Sequence, residues 1–299
     1  MAETCRFFTT GGAAIGADLY LPESRAAGEP VPGIVYCLGF GSVKDQVAAW
    51  GERLAAMGFA VLVPDYRGFG GSEGMPGRIV PTEQVDDLRA AVTYLASRDE
   101  VDDSRLVALG VSTGGANSVY LGGVDPRITA VVSVVGWGDG ERHMRALRRH
   151  HEWLDFLARV HEGRVRRVLE GKDEPIDPDE ILVRDPEAVR WRQEMLERHP
   201  AMRFETTLES AERIIEFRPE SVLPYTDGTA LLVVHAEDDA LVPVDEAVSM
   251  HGRACEPKGL VVLPGVAHHG VHEGAAFEEC LRLAGDWFDT YAGRSAGAV

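Results

Sequence analysis

The chain has 299 residues, enough for one large α/β domain with an insertion or for two modest domains. Its composition is that of a soluble globular protein, 45% hydrophobic and 26% charged, with a formal net charge of −18. A field of that sign repels phosphate backbones and anionic lipid, so neither nucleic acid nor a membrane is expected as a partner.

Strand and helix signals alternate from the first third onward. Gly33–Leu38 is a short apolar run ending in Gly39-Phe40-Gly41. Residues 45–57 carry helical spacing through Val47, Trp50, Leu54 and Met57, and stop at Gly58. Phe59–Val63 reads as the next buried strand, and Pro81–Arg98 as a helix with Val85, Leu88, Val92 and Leu95 on one face. Leu106–Leu109 is a further apolar strand, Ala116–Leu121 continues as a helix, and Ile128–Val135 is again strand-like. Continuous apolar strands between amphipathic helices predict an α/β fold with a mostly parallel, doubly wound sheet covered on both faces.

The alternation then breaks. From Trp137 to Tyr225 the chain is Arg- and Glu-rich and helical in flavour, with helices expected over His143–Val160 and Glu187–His199. This predicts a helical cap inserted over the C-terminal edge of the sheet, where α/β active sites lie. The strand Ala230–His235, a helix over Val244–Ala254, the strand Leu260–Leu263 and a helix from Ala275 to Tyr291 complete the pattern. The expected organisation is therefore a core of residues 1–136 and 227–292, a cap of residues 137–226, and a disordered tail over 293–299.

Residues 110–115 read Gly-Val-Ser-Thr-Gly-Gly, a G-x-S-x-G arrangement directly after an apolar strand. A serine forced onto a sharp strand-to-helix turn needs small neighbours, which Gly110 and Gly114 supply. An activated serine also needs a base, and a carboxylate to hold that base in the right tautomer. Both follow in chain order: Asp238 and Asp239 lie just past the strand ending at Val234, and His268 and His269 just past the one ending at Leu263. His268 and His272 have i, i+4 spacing, but no matching third metal ligand is evident, so no metal is expected.

The chain resembles the α/β-hydrolase superfamily, in its branch of capped serine hydrolases related to esterases, lactonases and the S33 and S15 peptidases. The resemblance rests on Gly39-Phe40-Gly41-Ser42, Asp65-Tyr66-Arg67-Gly68-Phe69-Gly70-Gly71-Ser72, the Ser112 turn, the Asp-x-x-Val-Pro of Asp239–Pro243 and the Gly-x-x-His of Gly265–His268. It implies a triad of Ser112, Asp239 and His268. It also implies an oxyanion hole from the backbone amides of Thr113 and of Phe40, in the loop after the first central strand. That loop departs from the family's usual His-Gly, since Leu38 stands where the histidine would be.

The function implied is hydrolysis of an ester, lactone, thioester or amide of a small to medium organic molecule through an acyl-enzyme, without cofactor. Two other readings keep the same residues: cleavage of a carbon–carbon bond beside a ketone, and a non-catalytic binding protein of the hydrolase fold. Dehalogenase and epoxide-hydrolase chemistry is disfavoured, because those branches carry an aspartate at the turn.

Trp137, Trp153, Phe156 and Trp191 are candidates to line the pocket. Arg145, within the series Arg142, Arg145, Arg148 and Arg149, is a candidate to meet an anionic substrate group, against the alternative of a solvated salt-bridged face. Arg67–Gly71 is read as a tight turn and not a phosphate loop, since Glu73 occupies the last position of G-x-G-x-x-G. Cys37 lies inside an apolar strand and reads as core. Met1–Arg6 shows no basic segment leading into an apolar one, and Cys5, Cys37, Cys255 and Cys280 are scattered, so reduced thiols and a cytoplasmic location are expected. The expected partner is a small-molecule substrate, with a homodimer left open.

Overall fold

The computed structural model describes residues 2–23, 29–226 and 228–292, so the tail expected to be disordered lies outside the described residues. An eight-stranded sheet forms its centre. In chain order the strands are β1 (Glu3–Phe8), β2 (Ala14–Tyr20), β3 (Val31–Cys37), β4 (Ala60–Pro64), β5 (Val101–Val111), β6 (Ile128–Val134), β9 (Ala230–Ala236) and β10 (Lys258–Leu263), with the short pair β7 (Pro175–Ile176) and β8 (Thr206–Thr207) apart from them. The order across the sheet is β1-β2-β4-β3-β5-β6-β9-β10. β1 pairs with β2 and β2 with β4 antiparallel, while every pair from β4 to β10 is parallel.

The parallel strands read as unbroken apolar runs because both of their faces are covered. β3, β4, β6 and β9 are buried almost throughout, and β5 is buried from Leu106 onward. The helices on them are α1 (Ala48–Ala56), α2 (Pro81–Ala96), α3 (Thr113–Val124), α9 (Val244–Arg253) and α10 (Gly274–Tyr291). α2 starts at a proline, whose missing N–H costs nothing there, and buries Val85, Leu88, Val92 and Leu95 on the anticipated stripe.

Two parts differ from the sequence reading. β1 and β2 were not anticipated: β1 (Glu-Thr-Cys-Arg-Phe-Phe) is an edge strand that buries only Phe7, so it carries little hydrophobic signal. The single helix expected over His143–Val160 is two, α4 (Gly140–Ala146) and α5 (His150–Glu170). The chain is extended at Arg149, whose amide donates to Glu152 Oε2 at 2.8 Å, and this N-terminal cap starts a new helix where periodicity alone would continue the old one. Beyond them come α6 (Pro178–Ile181), α7 (Pro186–Arg198) and α8 (Leu208–Glu216). α7 is started by Asp185, which accepts from the amides of Glu187 and Ala188.

Candidate active site

The parallel strands β3, β5, β9 and β10 all end on one edge of the sheet, and the loops leaving them bring the chemistry together. At the end of β5 the chain turns sharply into α3, leaving Ser112 at φ 60 and ψ −124, a conformation that costs any residue with a Cβ. The turn is possible only because its flanks lack side chains. A Cβ on Gly110 would sit 2.0 Å from the Gly114 carbonyl oxygen, and one on Gly114 would sit 1.9 Å from that of Cys37.

His268, in the loop after β10, reaches Ser112: its Nε2 lies 3.0 Å from Ser112 Oγ. Its Nδ1 lies 2.6 Å from Asp239 Oδ2, in the loop after β9. Nδ1–H therefore donates to the carboxylate, which leaves Nε2 free to accept the serine proton. Asp239 Oδ1 in turn accepts from the backbone amides of Leu241 (2.9 Å) and Val242 (2.7 Å), so the carboxylate is oriented from both oxygens. Asp239 and His268 are both buried, which strengthens their interaction by excluding water. Beneath them, buried His235 donates from Nε2 to the Val242 carbonyl at 2.8 Å and braces the same turn. Burial lowers its pKa.

The adjacent alternatives go elsewhere. The Asp238 side chain is exposed. His269 lies flat on Trp191, ring centroids 3.8 Å apart, and burial together with the charge of its neighbours lowers its pKa to about 2. His272 accepts from the Trp50 indole at 3.3 Å, and no group of three or more His, Cys, Asp or Glu among the described residues is arranged to hold a metal ion. Cys37 is fully buried, and burial pushes its thiol pKa far up.

The loop after β3 carries Gly39 and Phe40 to the same place. Both line a cleft of about 60 Å³ together with Ser112, Leu241 and His268. The absence of the family's usual histidine at Leu38 is met from the other side. Buried Tyr66 is hydrogen-bonded through its hydroxyl to the Leu38 backbone, and it also accepts from Asn117 Nδ2 at 3.1 Å. Asp65 accepts from the amides of Lys44 (2.7 Å) and Gly71 (2.8 Å), tying the β3 loop to the β4 loop. The Asp65–Ser72 segment is thus a clamp on the loop beside Ser112.

Of the five residues expected to line the pocket, the structure places one, Trp191, in the cleft wall. Trp137 is buried between His143 and Phe217, its indole 3.5 Å from Thr113 Oγ1. Trp153 and Phe156 are buried on the apolar stripe of α5, which packs against α8, with the Arg148 guanidinium 3.9 Å above the Phe156 ring. Arg145 is exposed. These four are corrections with two physical causes: large aromatics are drawn first into packing, and an arginine with no ion-pair partner among the described residues stays in water. Arg142 turns inward, but onto Glu246 and Glu220, as structural pairing. Beside Trp191, the segment between β6 and β9 contributes Leu182, Arg184, Arg192 and Met202 to the cleft wall, none singled out by the sequence. In a segment where charged residues recur every few positions, no local pattern distinguishes an arginine facing a cavity from one facing solvent.

The sequence matches the family described as serine aminopeptidase, S33, over residues 28–275. The chain belongs to this family of α/β hydrolases. It is 27% identical over 290 residues to the thiohydrolase aneE of Aspergillus aculeatus, covering 91% of this chain and 88% of that protein. Among solved structures it superposes on that of DcsB in complex with its substrate analogue with a TM-score of 0.83, at 21% identity over 97% of this chain and 99% of the other. The α/β hydrolase GrgF from Penicillium sp. sh18 gives a TM-score of 0.80 at 20% identity, over 98% of this chain and all of that one. At such identities these two likenesses concern the fold.

Proposed function

We propose that this α/β hydrolase is a serine hydrolase cleaving an ester or thioester of a small organic acid through an acyl-enzyme. The observation that carries the reading is the continuous chain Ser112 Oγ, His268, Asp239, with contacts of 3.0 and 2.6 Å. Ser112 attacks the carbonyl carbon as its proton passes to His268 Nε2, and Asp239 stabilises the imidazolium that results. The amides of Thr113 and Phe40 hold the oxyanion of the tetrahedral intermediate. Collapse of that intermediate breaks the bond to the leaving group, which departs with the proton from His268. Water, deprotonated by the same imidazole, then releases the acid and restores Ser112. The helical segment between β6 and β9 closes over the cleft as a selectivity element, since Leu182, Arg184, Trp191, Arg192 and Met202 all come from it. A thioester is included because the relative aneE is named a thiohydrolase.

The test is labelling by a fluorophosphonate probe combined with turnover of a p-nitrophenyl ester and its thioester analogue. Ser112→Ala is expected to abolish labelling and to lower turnover by about 10⁴-fold or more, with a melting temperature close to wild type. His268→Ala is expected to cost far more turnover than His269→Ala. Turnover retained in Ser112→Ala would remove the serine from its role, and the reverse histidine ranking would move the base to His269.

A further inference from the structure

Arg184 and Arg192 stand in the wall of the cleft that holds Ser112 and His268. Their side chains are only 7% and 10% exposed. A buried guanidinium is costly unless a carboxylate and further hydrogen-bond acceptors compensate it. Among the described residues the two are ion-paired to one and the same carboxylate: Arg184 Nη1 and Arg192 Nε, the latter at 3.0 Å, both meet Asp179 Oδ1. Asp179 is itself half exposed, so it neutralises the pair from the rim and not from inside the cleft. The other hydrogen bond of Arg184 runs from Nη1 to the Leu182 carbonyl at 3.3 Å, and Asp177, exposed at the start of α6, acts on it only at longer range. The cost of this burial is visible in Arg184, whose pKa is pushed down to about 10.

Among the described residues that line the cleft, the groups facing the pair from other elements supply no second anion. His269 and His272 line the same cleft, and burial lowers both rings well below neutrality, to about 2 and about 4, so they are uncharged. Phe40 and Trp191 are apolar neighbours. Two cations ion-paired to one peripheral anion, with Asp177 acting on Arg184 only at longer range, leave positive charge incompletely matched in the cleft wall, in a molecule whose net charge is −18.

We propose that the substrate of this hydrolase carries a carboxylate, held by Arg184 and Arg192, and that these two residues select acidic over neutral esters. The proposal rests on the serine-hydrolase reading for the identity of the reaction, and on the arginine pair alone for the anion. A carboxylate fits better than a phosphate on two counts. One surplus positive charge matches a monoanion, whereas a phosphate monoester carries about −1.5 to −2 near neutrality. A planar guanidinium fork also matches the two coplanar oxygens of a carboxylate.

The experiment compares mono-p-nitrophenyl adipate, which is anionic, with p-nitrophenyl hexanoate, its neutral counterpart of equal chain length. Wild type is expected to favour the adipate ester by about tenfold or more in kcat/KM, mainly through KM, a preference that weakens as ionic strength rises. Arg184→Gln and Arg192→Gln are each expected to bring the adipate-to-hexanoate ratio towards one. A wild-type ratio near one, or a ratio that survives both substitutions, overturns the proposal.

Calorimetry in the Ser112→Ala background with monomethyl adipate and dimethyl adipate reads binding without turnover and keeps the two readings apart. Preferential binding of the monoanion, weakened by about tenfold in Arg192→Gln, supports the anion site even if no ester is hydrolysed. Equal binding of the neutral diester overturns it. Inorganic phosphate displacing monomethyl adipate at equal concentration would overturn the choice of carboxylate. If Arg184→Gln does not fold, the wild-type ester ratio and the calorimetric preference still decide the matter.

Discussion

At φ 60 and ψ −124, Ser112 occupies backbone space that glycine enters freely and other residues do not. The strain is the consequence of placing Oγ where His268 Nε2 can reach it, and it belongs to the backbone, not to the hydroxyl. Replacing the serine by alanine leaves the Cβ and the strain in place. Replacing it by glycine removes both, so Ser112→Gly is expected to be inactive yet more stable than Ser112→Ala by about 1 kcal/mol. That corresponds to a melting temperature roughly 2–4 °C higher. Calorimetric scans of the two variants side by side check this, and equal midpoints would mean that the turn is relaxed. Asp239 shows a related economy, with one oxygen on His268 and the other on two backbone amides of its own loop.

At the scale of elements, the site depends on how closely β3, β5 and α3 approach one another. Gly114 opens α3 directly against the end of β3, where an added Cβ would lie 1.9 Å from the Cys37 oxygen and 2.8 Å from that of Leu38. Both are backbone atoms at the end of a central strand, Cys37 in β3 and Leu38 directly after it, with no room to retreat. Gly114→Ala is therefore expected to lose about 3 kcal/mol of stability and, by displacing the loop that carries Phe40, most of its turnover as well. Gly252, exposed within α9 and with nothing within 4 Å of its added Cβ, supplies the contrast. There alanine should be neutral or stabilising by up to about 1 kcal/mol. Urea midpoints of the two variants test the pair, and a harmless Gly114→Ala would show that the strand end yields.

Over the whole molecule, several histidines are buried deeply enough that desolvation outweighs any nearby carboxylate. Burial lowers the pKa of His143 to about 3, of His272 to about 4 and of His269 to about 2, and lowers that of His235. In the unfolded chain each titrates near 6.5. As pH falls through that value the unfolded state takes up protons that the folded state does not, so stability present above pH ~6.5 is lost on acidification. Each such group contributes a slope of roughly 1 kcal/mol per pH unit below that point. The urea midpoint is expected to fall steadily from pH 7 to pH 5, and a flat or rising midpoint across that range would mean that these rings are protonated in the fold.

How much of this was legible in the sequence varied with the range of the interaction involved. The G-x-S-x-G turn, the order of serine, acid and base, and the apolar strands are local patterns. Each is enforced by sterics or burial within a few residues, which is why Ser112 could be read from the local pattern, whereas Asp239 over Asp238 and His268 over His269 followed from the family resemblance. The hairpin-like edge β1–β2 was missed because one strand of it is largely exposed and its pairing is decided by its partner. The break at Arg149 was missed because a capping contact outweighed a continuing helical period.

Apart from Trp191, the part of the cleft wall supplied between β6 and β9 was beyond local reading. Trp137, Trp153, Phe156, Arg145, Arg184 and Arg192 carry no short-range mark of which face they will present, and their fates were settled by which neighbours folding brought to them. The amino-acid order by itself determined the parallel strands, the strained turn and the candidate serine, acid and base, since those follow from short-range sterics, hydrophobic pattern and motif order. Only the tertiary structure decided which charges enter the cleft, because burying a guanidinium depends on groups far away along the chain.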